Sequence, residues 1–289
     1  MNRHSLMLVV MIVALVLSEK ATATNEDKIF SKVQGSVQQL LVISKDGTLT
    51  KATAIALPDG YYITNCHATQ NAASIWLRGY RRPALYQVAD IYHDLCKLRF
   101  PWTARRAVKL ASKAVLAGQE VFAIGYSDGL PVPSTTKGTV ERLLQIDYDA
   151  LIRTSASFTN GASGGGLFNE NGELVGILTF YGVHPDKSVA GYFATPIAWI
   201  RRISKAASAR HSSANSKFFW ETAMAEKPIP LQADIYHTVC DWSKLYVLAH
   251  SWKKVSPNSA AAHYYLKSAE QKLVDTALMD FGLRNTQCP

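Results

Sequence analysis

Ser163 stands among four glycines, Gly161, Gly164, Gly165 and Gly166, in the run TNGASGGGLFNENGELVGI from Thr159 to Ile177. Glycines remove the side chains that would block a close backbone approach, and they reach backbone angles that strain other residues. A serine hydroxyl becomes a useful nucleophile only when a base takes its proton and a third group, usually a carboxylate, holds that base in one tautomer. Two segments offer those partners. His67 follows a β-branched and aromatic run in YYITNCHAT, where it projects from a strand end. Asp94 lies in ADIYHDLCKLRF, where alternation places Asp94, Cys96 and Leu98 on one face of a strand. A carboxylate on an apolar face is costly without a partner, so a partner is expected. Asp90 is the rival acid. Cys66, His67, His93 and Cys96 also make four nitrogen or sulfur donors of the kind zinc takes, but a metal there would consume the base. The expectation is a site with neither metal nor cofactor.

These side chains need short strands to hold them. From Val33 to about Ile203 the chain runs through LLVIS, ATAIAL, YYIT, EVFAIGY, GLF and ELVGILTFYG, broken by KDGT, PDG and NENG, the pattern of an all-β barrel or sandwich. After Ser204 the segment SKAASARHSSANS reads as a linker. Beyond it Ile235, Val239, Trp242, Tyr246, Ala249 and Trp252 share one helical face, Pro257 and Asn258 interrupt, and Tyr265, Ala269, Leu273 and Ala277 form a second stripe up to a capping Gly282. Two antiparallel helices are expected.

Taken in order, TNCHA, DLCKL and NGASGGGLFNENGELVGI closely resemble the trypsin-like serine proteases, the HtrA (Deg) type in particular. AGQEVFAIGYSDGL resembles the start of that family's second barrel, and GYFATPIAWIRRI its closing strand and helix. The likeness covers roughly 33–203. It implies a mainly β fold of two six-stranded antiparallel β-barrels, chymotrypsin-like, followed by a C-terminal α-helical hairpin. The expected organisation is a signal peptide at 1–23, a peptidase domain at 24–205 with barrels at about 28–112 and 113–205, and a helical extension at 206–289. By the same resemblance Ser163 is the nucleophile, His67 the general base and Asp94 the orienting acid, with the N–H groups of Gly161 and Ser163 as the oxyanion hole. A triad so placed makes Cys66 and Cys96 neighbours, which implies a disulfide between them and leaves Cys240 to pair with Cys288. The specificity pocket falls on Ser157, Phe158, Leu178, Thr179 and Phe180, with Phe193 nearby. No acidic residue is among them, which implies a small or medium apolar side chain before the scissile bond rather than Lys or Arg.

The chain departs from the family pattern in three places. Ala52, Thr53 and Ala54 replace a glycine-serine-glycine strand, and their methyl groups are expected to crowd the substrate side. Ser155 replaces an acidic residue. The helical tail lacks the strands of a peptide-binding PDZ domain. The alanines keep a second class of function open, a protease-shaped module that binds peptides without cutting them. The tail faintly resembles half of a tetratricopeptide repeat, although one such unit cannot bury its own face and is better placed against the barrels.

Composition sets the compartment. The first 23 residues pair Arg3 with an apolar run from Leu6 to Leu17 and end in Ala21-Thr22-Ala23, a cleavable secretory signal too short to span a bilayer. The expected protein is secreted or periplasmic, without stable membrane insertion after cleavage. Its four cysteines then lie in an oxidising compartment, and sequence alone permits three pairings. The formal charge of +9 is scattered, with no recognisable nucleic-acid reading module or interleaved stacking aromatics, so the expected partners are protein or peptide substrates and not nucleic acid.

Overall fold

The computed structural model describes residues 24–103, 106–146, 149–184, 187–203 and 217–280. The expected signal peptide, the linker SKAASARHSSANS, Gly282 and Cys288 lie outside these, and so does the proposed pairing of Cys240 with Cys288. Thr24 caps the first helix, α1 (Asn25–Val33): its hydroxyl accepts the Asp27 N–H at 3.1 Å, and the Asp27 carboxylate takes the Thr24 N–H at 3.0 Å. Ile29 and Val33 then bury against the second barrel.

The first sheet contains β1 (Val37–Ser44), β2 (Leu49–Ala56), β3 (Tyr62–Thr64), β4 (Ala72–Leu77), β5 (Tyr86–Asp90) and β6 (Leu95–Arg99), in the order β4-β1-β2-β3-β6-β5. It curls into a half-barrel rather than the closed barrel expected. Its edges meet through one bond, Ala84 N–H to the Ile75 carbonyl at 2.8 Å.

The second sheet does close. It comprises β7 (Lys109–Leu110), β8 (Glu120–Gly125), β9 (Ser134–Ile146), β10 (Asp149–Thr154), β11 (Gly166–Asn169), β12 (Glu173–Val183) and β13 (Val189–Pro196). β11 pairs with both β8 and β12, completing a six-stranded antiparallel barrel, while the two-residue β7 adds in parallel to β12. Val121, Leu151, Leu167 and Ile177 fill it, each fully buried. The Asn169 side chain fixes the β11–β12 turn by accepting the N–H groups of Asn171 and Glu173, both at 3.0 Å.

Four more helices follow among the described residues: α2 (Ile197–Arg202), α3 (Ile229–Thr238), α4 (Trp242–Val255) and α5 (Ala260–Asp280). The stripe from Ile235 to Trp252 is therefore two helices and not one. Cys240 takes a left-handed conformation, φ 57°, and the Asp241 carboxylate accepts the Lys244 N–H at 3.1 Å, so a new helix starts where the apolar spacing continues. α3 docks this unit on β9. Asp234, 1 % exposed, receives Arg142 at 2.8 Å, Arg153 at 2.8 Å and the Tyr265 hydroxyl at 3.0 Å, so one carboxylate ties two barrel strands to two helices.

Candidate active site

β3 ends at Thr64, and one short helical turn begins at His67. Asp94 lies in the turn before β6, not on the strand as its alternation suggested: β6 begins at Leu95, and Asp94 sits at φ 56°. That backbone region is sparsely used by side-chain-bearing residues and is most tolerated by Asn and Asp. Here it is held on every side. Asp94 N–H donates to the Ile91 carbonyl at 3.0 Å, and its own carbonyl accepts the Asn65 Nδ2 at 3.0 Å and the Cys66 N–H at 3.3 Å. The carboxylate is fully buried and receives His67 twice, the backbone N–H at 2.7 Å and ring Nδ1 at 2.5 Å. Binding Nδ1 leaves Nε2 as the free ring position. Burial draws the imidazole pKa down, but the Asp94 charge and hydrogen bond, with a weaker pull from Glu221, outweigh it and hold His67 above the ordinary histidine value. Burial pushes the Asp94 carboxyl up, against the opposing charge and bonds of His67, and the two titrate as a pair.

The disulfide expected between Cys66 and Cys96 is present, with Cα atoms 4.9 Å apart. It joins the residue before His67 to the residue two after Asp94. Asp90 is engaged elsewhere, its carboxylate 2.7 Å from His93 Nδ1. With both cysteines joined in a disulfide, the four-donor zinc arrangement loses its two thiolates.

Ser163 reaches the same place from the second barrel. Its carbonyl accepts the Thr53 N–H at 2.9 Å, and the next residue abuts Thr64: a Cβ at Gly164 (φ 84°) would stand 2.1 Å from the Thr53 oxygen and 2.3 Å from Thr64 Oγ1. Only glycine fits there. Thr53 is the pin between the two sheets. Its hydroxyl donates to the Gly161 carbonyl at 2.8 Å and accepts the Tyr126 N–H at 2.9 Å. Ala52 and Ala54 point the other way, into the core around Leu40, Val42 and Tyr62, so their methyl groups do not crowd the substrate side. Ser163 and His67 share no hydrogen bond among the described residues, a spacing that hydrolases commonly tighten only when substrate arrives.

The orientation of the loop is set by its neighbour. The Asn160 carbonyl accepts the Asp128 N–H at 2.6 Å, and in a trans peptide the following N–H, that of Gly161, points the opposite way. Among the described residues neither Gly161 N–H nor Ser163 N–H meets an acceptor. Both donors are left open at the serine loop.

Of the pocket residues, Ser157 and Phe180 are half-buried, and Phe158, Leu178 and Thr179 are buried. Phe158 packs on Tyr192 at 5.2 Å, Leu178 lies behind Gly165, and Phe180 stacks on Phe193 at 4.7 Å. The Thr179 hydroxyl is spent internally, 2.7 Å from the Thr195 hydroxyl and from the Ile177 carbonyl. Asn65, Asp128 and Thr53 act through backbone contacts that no residue pattern reveals. The aromatic run Phe218-Phe219-Trp220 was the visible but unused signal: Phe218 and Trp220 both stand 6.2 Å from the His67 ring.

A trypsin-like peptidase family model matches residues 41–177. The periplasmic serine endoprotease DegP of Salmonella typhimurium is 32% identical over 181 residues, 59% of this chain and 37% of that protein. The chain carries an HtrA-type trypsin-like peptidase domain. Solved structures agree: the HtrA-type protease AlgW with tripeptide is 25% identical with a TM-score of 0.53, covering 61% of each chain. The serine endoprotease from Yersinia pestis is 26% identical with a TM-score of 0.53, covering 62% of this chain and 65% of that one. The HtrA-type domain thus accounts for the barrels, while the chain spans little more than a third of the length of the DegP it matches. Among the described residues no helix is long and apolar enough to cross a membrane, and no cluster of three possible metal ligands occurs.

Proposed function

We propose that the chain is an exported serine endopeptidase that cuts unfolded or damaged proteins. His67 Nε2 takes the Ser163 proton, Ser163 Oγ attacks the peptide carbonyl, and the oxyanion is received by the N–H groups of Gly161 and Ser163. His67 then passes its proton to the leaving amine, and water releases the acyl group by the same route. The observation that carries this reading is the double hold of His67 on one buried carboxylate, with Nε2 left free. The two unpartnered N–H groups beside Ser163 support it, and each such donor is typically worth on the order of 10² to 10³ in rate. A periplasmic or secreted location is supported by the periplasmic relatives and the disulfide.

The substrate chain has a natural track. Thr179–Val183 of β12 pairs with β13 on one side and with no strand on the other among the described residues, so an extended peptide can add there. Its side chain before the scissile bond would meet Ser157 and Phe158, and a small or medium apolar residue is favoured because no carboxylate is present to pair with Lys or Arg. The reading is tested on unfolded casein: wild-type protein should fragment it and Ser163→Ala should not, whereas equal cleavage by both would refute the assignment. The peptide-binding alternative loses its motive, since Ala52 and Ala54 face the core.

A further inference from the structure

The segment after the barrels returns to the active site. Phe219 is fully buried in the barrel core against Tyr92 and Trp199, at 6.0 and 6.1 Å, and its N–H donates to the Tyr92 carbonyl at 3.1 Å. A tight turn, closed by the Glu221 N–H donating to the Phe218 carbonyl at 2.9 Å, brings the buried Phe218 together with Trp220, stacked at 5.0 Å with planes 13° apart. Phe218 packs onto the Cys66–Cys96 disulfide. Trp220 packs edge-to-face with His67, interplanar angle 87°, and lies 5.0 Å from Phe180. The Trp220 carbonyl is held by Lys227 Nζ, which also donates to the Thr222 carbonyl at 2.6 Å, and Thr222 Oγ1 caps the Phe219 carbonyl at 2.9 Å. The indole is therefore a fixed wall rather than a loose flap.

Its place along the substrate follows from alternation. If the residue before the scissile bond turns its side chain toward Ser157 and Phe158, the residue before that turns its own to the opposite face of the β12 edge. That face is bounded by His67, Phe180 and Trp220. We infer that Trp220 is a specificity-determining residue, closing the subsite for the second residue before the scissile bond so that it accepts Gly or Ala and rejects large side chains. The inference rests on the peptidase reading above and adds to it a wall supplied from outside the barrels.

The test is a set of internally quenched peptides with Val before the scissile bond and Gly, Ala, Leu or Phe preceding it, assayed as kcat/KM. Wild-type protein should cleave the Gly and Ala peptides about 10-fold or more faster than the Leu and Phe peptides, the range one ill-fitting side chain commands. Trp220→Ala should bring the four within about 3-fold of one another, chiefly by accelerating the bulky pair. Trp220→Phe, which keeps an aromatic wall and the stack on Phe218, should retain most of the preference and guards against misfolding of the alanine variant. The inference is overturned if wild-type protein cleaves the Leu or Phe peptides as fast as the Ala peptide. It is equally overturned if Trp220→Ala changes all four rates by one factor, the sign of a strap that covers the site without selecting. Wild-type protein that cleaves none of the peptides, and no casein, would overturn the peptidase reading and the subsite with it.

Discussion

At the scale of single residues the account turns on a histidine held twice by one aspartate. Asp94→Asn keeps the shape but offers His67 Nδ1 the wrong partner, and a loss of about 10⁴ in kcat is expected from steady-state rates. The raised His67 pKa has a signed consequence. Catalysis needs the neutral ring, so kcat/KM should rise with pH through a value above that of ordinary histidine. The folding increment from the charged His67–Asp94 pair runs the other way: it is fully present below the unfolded histidine pKa and is lost as pH rises through the raised folded value. A pH–rate profile should also show Glu221→Gln moving the acid limb to lower pH, since that carboxylate helps hold the proton on His67; an unmoved limb would place Glu221 outside the site. Much of this residue scale was legible. Ser163, His67 and Asp94 were each marked by their neighbours in sequence, but the left-handed turn at Asp94 was not, because the apolar alternation of Leu95 to Arg99 extends smoothly backward through it.

At the scale of elements, two cross-links position the machinery. The disulfide fixes the end of β3 to β6, and replacing both cysteines with alanine should cost roughly 3 to 4 kcal/mol by the chain-entropy argument for a loop of this size, measurable by denaturant unfolding. The Asp234 network docks the helices. Removing that carboxylate leaves Arg142 and Arg153 facing each other, so Asp234→Ala should cost about 3 kcal/mol or more. Beside it His237 is held near a pKa of about 4 by burial, with Arg142, Arg153 and Lys272 reinforcing the fall and Asp234 opposing it. A depressed histidine binds its proton more readily when unfolded, so stability should fall as pH drops from about 6.5 toward 4. His237→Gln should lack that part of the fall. None of this network was readable beforehand: Asp234, Arg142 and Arg153 are unremarkable charges whose value comes only from the docking of α3 on β9. The break between α3 and α4 was likewise hidden, since Val239 and Trp242 keep the helical spacing across it.

At the scale of the whole molecule, two sheets supply opposite halves of the proposed site. The curled first sheet brings His67 and Asp94; the closed barrel brings Ser163 and the open N–H groups; Thr53 joins them. Barrel-type strands were evident from β-branched runs and turn residues, and the closing strand and helix from the family resemblance, whereas the incomplete closure of the first sheet left no mark in the residue pattern. The return of Phe218-Phe219-Trp220 to the site belongs to tertiary packing and had no periodic signature. Central to the whole is the claim that Ser163 is an activated nucleophile. The most direct measurement is intact mass after treatment with a peptidyl aryl phosphonate carrying Val next to the phosphorus, followed by peptide mapping. The account predicts one phosphonyl adduct per chain, on Ser163, formed faster at pH 8 than at pH 6 and lost in folded His67→Ala; a folded wild-type protein that remains unlabelled, or that is labelled elsewhere, would contradict it.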